Sequence, residues 1–161
     1  MSAETLSNRE NWQKHARVIG DAGEEKFASR IAKCLPSHYD IVLKPKKIPL
    51  YSGGRGVKLD SLIINNKTGK KLFIENKTGN NGGNAHERAY KYATPGIKKA
   101  LRLFDPDLVD EPVYLIFAGK TFQGQKYQDE IATVLEGSNY AIMGVDFENL
   151  EEVANEIMEI V

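Results

Sequence analysis

One cysteine, Cys34, in a chain of 161 residues leaves no partner for an internal disulfide. That excludes the small secreted scaffolds that depend on such bridges, and a reducing cytoplasm is the expected setting. Net charge is lacking too: 22 basic and 22 acidic side chains cancel. A nonspecific polycation is thereby excluded, although local clusters can still build a basic face. No apolar run approaches the roughly 20 residues that cross a bilayer, and no leader-like segment is visible, so no membrane partner is expected. Repeats and low-complexity tracts are absent. The glycines of Ser52–Gly56 are not followed by Gly-Lys-Ser/Thr, which argues against a nucleotide P-loop. His15 and His38 have no ligand-like spacing.

What the chain does contain is an α/β pattern. Its length suits one domain, residues 1–161, with residues 1–18 as an N-terminal arm or short helix. Trp12, Lys14, His15 and Arg17 on that arm read either as a phosphate contact or as a loosely packed terminus. Gly20–Leu35 is predicted as an amphipathic helix with Phe27, Ile31 and Leu35 on one side, and Glu24 and Glu25 as first-turn acids. Asp40–Leu43 is a short strand. Lys44-Pro45-Lys46-Lys47 and Ser52–Gly56 then form a basic, glycine-bearing connection, suited to phosphate contact or to plain solvation. Downstream, Thr94-Pro95 opens a helix to Phe104. Ile97, Leu101 and Phe104 give it an apolar face, while Lys98, Lys99 and Arg102 face nucleic acid or solvent. The continuous apolar run Val113–Gly119 reads as a central strand. A helix at Tyr127–Glu136, a strand at Tyr140–Val145 and a helix at Asn149–Val161 complete the series.

The chemistry concentrates between Asp60 and Arg88. Leu62-Ile63-Ile64 and Leu72-Phe73-Ile74 flank the turn-forming group Asn66-Lys67-Thr68-Gly69, the mark of a hairpin. If those four residues are the loop, Asn65 pairs with Lys70 and Asp60 comes opposite Glu75. Directly opposed residues share a face, with Cβ atoms about 4.5–5.5 Å apart. Phe73, Glu75 and Lys77 alternate onto that face and Leu72, Ile74 and Asn76 onto the other. Two opposed carboxylates repel, and a divalent cation between them removes the cost. Oxygen ligands that leave waters in place suit Mg²⁺, with Lys77 beside an attacking water. The competing reading is a solvated strand face on which Lys77 merely pairs with the acids.

Asp60-x14-Glu75-Asn76-Lys77 resembles the active-site signature of the PD-(D/E)XK nuclease superfamily, and GNAHER at Gly83–Arg88 resembles the GNAxER recognition segment of the EcoRI and MunI type II restriction endonucleases. The resemblance covers roughly residues 56–96. It departs from the pattern at Leu59, where the superfamily has proline, and at Asn76, a slot more often small or apolar. It implies a restriction-endonuclease-like α/β core, a mixed β-sheet whose catalytic hairpin is flanked by helices. It implies that Asp60, Glu75 and the Asn76 carbonyl hold Mg²⁺, with Mn²⁺ able to substitute, and that Lys77 serves the attacking water. It also implies that Glu24 or Glu25 assists the metal.

By the same resemblance, Gly83, Asn84, Ala85, His86, Glu87 and Arg88 lie in the major groove and read AATT. Asn84 suits adenine edges and Ala85 a thymine methyl, with Glu87 and Arg88 completing a polar network. His86 is expected as a phosphate contact or exposed side chain. A purely structural account of the segment also exists, with Asn84 and Glu87 as a capping box. Tyr90 and Tyr92 read as core or interface. The expectation is a Mg²⁺-dependent type II restriction endonuclease acting on double-stranded DNA as a homodimer and leaving 5′-phosphates. Its rivals are a homing, repair or phage nuclease without AATT specificity, a non-cleaving DNA-binding module, and a protein-binding α/β domain.

Overall fold

The computed structural model describes residues 15–21, 26–79 and 83–161. The apolar run from Val113 ends the longest strand, Leu108–Ala118, and is buried from Pro112 to Ala118, as a central strand must be. Six strands pair in chain order: β1 (Arg17–Ile19), β2 (Tyr39–Leu43), β3 (Ser61–Asn65), β4 (Lys71–Thr78), β5 (Leu108–Ala118) and β6 (Tyr140–Met143). The β2–β3 and β3–β4 pairs are antiparallel, while β1–β2, β4–β5 and β5–β6 are parallel. The sheet is therefore mixed.

Helices cover both of its faces, and the pleat sorts the strand residues between them. On one face, α1 (Lys26–Ala32) and the C-terminal helix α4 (Leu150–Ile160) set Phe27, Ile31, Val153 and Ile157 against Ile41, Ile63, Leu72, Ile74, Tyr114 and Ile116. On the other, α2 (Pro95–Phe104), α3 (Gln125–Val134) and the 3₁₀ segment Ala85–Ala93 set Leu101, Ile131, Ala89 and Tyr92 against Phe73, Val113, Leu115 and Phe117. Full burial of side chains such as Ile74 and Leu115 stabilises by about 1.5–3 kcal/mol each. The alternation leaves only the last residues of β4, where Glu75 and Lys77 replace apolar ones, free for chemistry.

Several expectations shift. Arg17 belongs to an edge strand rather than an arm, and its guanidinium clamps Asp40, with Nε donating to Oδ1 at 3.2 Å and an Nη to Oδ2 at 2.9 Å. Trp12, Lys14, Glu24 and Glu25 lie outside the described residues. Pro95 does open α2 after Thr94, but Thr94 Oγ1 bonds back to the Lys91 carbonyl instead of capping. Lys98 and Arg102 are committed to β5, Lys98 Nζ to Glu111 at 2.6 Å and Arg102 to the Asp110 carbonyl at 2.6 Å. Among the described residues no helix is long and apolar enough to cross a membrane.

Candidate active site and recognition segment

The hairpin register is set by its turn. The Asn65 amide donates to the Lys70 carbonyl at 2.9 Å, and Ser61 pairs with Ile74, so the next position outward sets Asp60 against Glu75. Asp60 lies one residue before β3 and is held from two sides. Its carbonyl accepts from the Lys44 amide at 2.8 Å, and its Oδ2 accepts from the Asn76 amide at 2.7 Å. Lys44 itself turns the chain there with a φ of 46°. The connection between them is tied by a two-way bridge between Ile48 and Val57. At Gly56 any side chain would overlap the Ile48 carbonyl, so glycine is required. Lys44, Lys46, Lys47 and Arg55 stand exposed along this connection.

Glu75 is only 6% exposed. Burial, and then the hydrogen bond and charge of Asp60, push its carboxyl up to about 8; the Lys77 charge and the Tyr92 hydroxyl pull the other way. Near neutrality Glu75 thus holds a proton, which it shares with Asp60 in place of two facing negative charges. Tyr92 reaches Glu75 from the 3₁₀ segment, its own hydroxyl raised by burial and by the Glu75 charge. Asp60, Glu75 and Lys77 are brought together as the register required. Asn76 points to the opposite face beside Ile74 and Ile116, and its side-chain Oδ1 and Nδ2 are buried without a partner among the described residues.

The segment from Gly83 divides cleanly. Gly83, Asn84, Ala85, Glu87 and Arg88 are exposed, whereas His86, Ala89 and Tyr92 are buried. Buried residues three apart match the 3.0-residue turn of a 3₁₀ helix, the conformation adopted over Ala85–Ala93. Gly83 has a φ of 102°, a region that side-chain-bearing residues rarely adopt. The capping box does not form: Asn84 makes no side-chain cap, and the Glu87 amide bonds the Asn84 carbonyl instead. Both side chains stand exposed at the surface. His86 is the clearest departure, at 3% exposure rather than exposed. Tyr90, Phe122 and Tyr127 surround its ring edge-on, because a side chain three residues before Ala89 must face the same core.

The family described as Type II restriction enzyme MunI matches residues 49–143, more than half of the chain. The chain belongs to the MunI family of type II restriction enzymes. It is therefore a site-specific DNA endonuclease. Among solved structures it is similar to MunI restriction endonuclease in complex with cognate DNA, with a TM-score of 0.67 and 24% identity over 83% of this chain and 87% of that one. At that identity the likeness speaks for the fold. No curated protein matches.

The stretch matched to the MunI family runs from Pro49 to the end of β6 and so contains Asp60, Glu75, Lys77, Tyr92 and the Gly83–Arg88 segment. Its two departures from the superfamily pattern have structural grounds. Leu59 is buried at 3% in the core cluster that also holds Phe73 and Tyr92, so an apolar side chain suits the position. Asn76 lies on the apolar face of β4, which explains why small or apolar residues suit the slot. Tyr92, expected as core or interface, is the member of the site that the sequence did not single out. The three-residue spacing of His86, Ala89 and Tyr92 was the available signal, since it places Tyr92 on the buried side facing β4.

Proposed function

We propose that this MunI-family enzyme cuts both strands of DNA at a palindromic site containing AATT, as a homodimer, with Mg²⁺ as cofactor and Mn²⁺ able to substitute. One observation carries the reading: two carboxylates held in contact across a hairpin, with a lysine two residues on and an exposed Asn-Ala-x-Glu-Arg strip nearby. The donor set fits the ion. Asp60 and Glu75 offer hard oxygens whose mutual repulsion is relieved only by a proton, and a divalent cation relieves it better. Asp60, Glu75 and the main-chain carbonyl of Asn76 would hold Mg²⁺, which when bound supplies charge against the developing negative oxygens and a more acidic water.

The chain's own residues do the rest. The Asn76 amide fixes the rotamer of Asp60, and the Tyr92 hydroxyl orients Glu75. Lys77 holds the attacking water and places its positive charge beside phosphorus, where negative charge builds. Water attacks in line, the bond from phosphorus to the 3′-oxygen breaks, that oxygen takes up a proton, and the phosphate remains on the 5′ end.

For recognition, Asn84 bonds the adenine edge, Ala85 touches a thymine methyl, and Glu87 and Arg88 span the neighbouring bases. Gly83 lets the backbone approach the groove. His86 supports this strip from within instead of touching phosphate. A twofold target asks for two copies related by a twofold axis. Supercoiled plasmid incubated with the protein and Mg²⁺, with the cut ends sequenced, tests the reading. Discrete fragments sharing AATT-centred ends support it; random nicks or uncut plasmid would overturn it.

A further inference from the structure

Away from the carboxylate pair, a second group of metal-ligating atoms meets where the Ala85–Ala93 segment packs against α3. One ring nitrogen of His86 and one carboxylate oxygen each of Glu87 and Glu130 all lie within 4.8 Å of one another. The three residues differ in burial: His86 is enclosed, Glu130 half-buried and Glu87 exposed, so the group opens to solvent on one side. The rings of Tyr90, Phe122 and Tyr127, with centroids 5.8, 5.6 and 5.4 Å from that of His86, leave Nε2 aimed at Glu130 Oε2, 3.5 Å away. That is long for a charge-assisted hydrogen bond, which closes to about 2.7–2.9 Å. It is close to the separation of roughly 3.3–3.5 Å between two ligands of a tetrahedral ion bound at about 2.0–2.1 Å.

Two further observations favour an ion over a simple pair. Among the described residues, neither Glu87 nor Glu130 forms an ion pair with lysine or arginine. The Tyr90 hydroxyl is buried against Glu130. Burial, the charges of Glu130 and Glu87, and the hydrogen bond to Glu130 raise it to about 12, so this corner is negative.

We propose that His86, Glu87 and Glu130 form a second divalent-metal site, selective for a transition ion such as Zn²⁺ or Co²⁺ over Mg²⁺. One imidazole with two carboxylates is a borderline donor set that suits those ions, whereas Mg²⁺ favours oxygen alone. The site shares no residue with the Asp60–Glu75 pair, and its existence does not rest on the DNA-cutting reading. An ion there ties Glu87, which stands between exposed Ala85 and Arg88, to α3. It braces the start of the exposed strip.

The test is a Co²⁺ titration of the full chain in excess Mg²⁺, read by visible absorption and by metal content. One Co²⁺ per chain is expected, displaced by Zn²⁺ but not by Mg²⁺. Losing a ligand should cost at least what losing a supporting partner does, about 10–100-fold in affinity. Glu130→Gln and Glu87→Gln should each weaken binding by that much while circular dichroism remains unchanged. These variants carry the test because His86→Ala would open a hole among the aromatic rings. Glu75→Gln combined with Asp60→Asn should leave the band in place. No band, a band indifferent to both glutamine variants, or a band lost with the Asp60/Glu75 pair would each overturn the site.

Discussion

Asp60 and Glu75 face each other because a four-residue turn sets the register, and the consequence is a shared proton. In the metal-free protein the folded state keeps that proton up to about pH 8, while the unfolded chain releases it near 4.5. Glu75's contribution to stability is thus fully present below about 4.5 and is lost as pH rises towards 8. Denaturant melts without metal should show this decline, and Mg²⁺ should reverse it. Mg²⁺ must also displace the proton, so its apparent affinity should rise up to about tenfold per pH unit below about 8 and then level off. Calorimetry in buffers of different ionisation heat measures the release directly. Tyr92→Phe removes a group that holds the Glu75 carboxyl down, so the same profile should move to higher pH. Lys77→Ala should lower cleavage by about 10²–10³-fold, the typical cost of a missing charge-stabilising group. Gel shifts with an AATT duplex should show binding retained; unchanged turnover would refute the role given to this lysine.

Among the elements, those governed by local rules were legible. The Asn66–Gly69 turn and its alternating flanks announced the hairpin, and the unbroken apolar run announced β5. Pro95 marked the start of α2. Where long-range contacts decide, the sequence is silent. Arg17–Ile19 pairs with β2 through a residue more than twenty positions away, so a three-residue strand read as an arm. Over Ala85–Ala93 the choice between periods of 3.6 and 3.0 was settled by packing against β4, β5 and α3, and the expected capping box gave way with it. His86 went inward for the same reason. The loop before Asp60 yields an element-scale prediction. Gly56→Ala cannot be accommodated against the Ile48 carbonyl without parting the Ile48–Val57 bridge, and should destabilise by about 1–3 kcal/mol in thermal or urea melts. It should also weaken Mg²⁺ binding, since that bridge anchors the approach to Asp60. A variant as stable as the parent would show that the loop is free to rearrange.

For the whole molecule, the proposed homodimer, with one cutting centre per copy, makes mixed dimers informative. Wild-type protein mixed with an excess of Lys77→Ala should give mainly nicked circles from supercoiled plasmid, because each mixed pair severs one strand. Linear product in undiminished proportion would mean that one copy cuts both strands. The same nine-residue rod, Ala85–Ala93, carries exposed Ala85, Glu87 and Arg88, proposed to read bases, at its front and Tyr92, which reaches Glu75, at its rear. Proposed reader and blade thus share one short handle through the contact of Tyr92 with Glu75. Attempts to retarget such an enzyme by rewriting its front residues will therefore tend to blunt the edge as well, and alphabets it can be taught are limited to those that leave the handle's seat undisturbed.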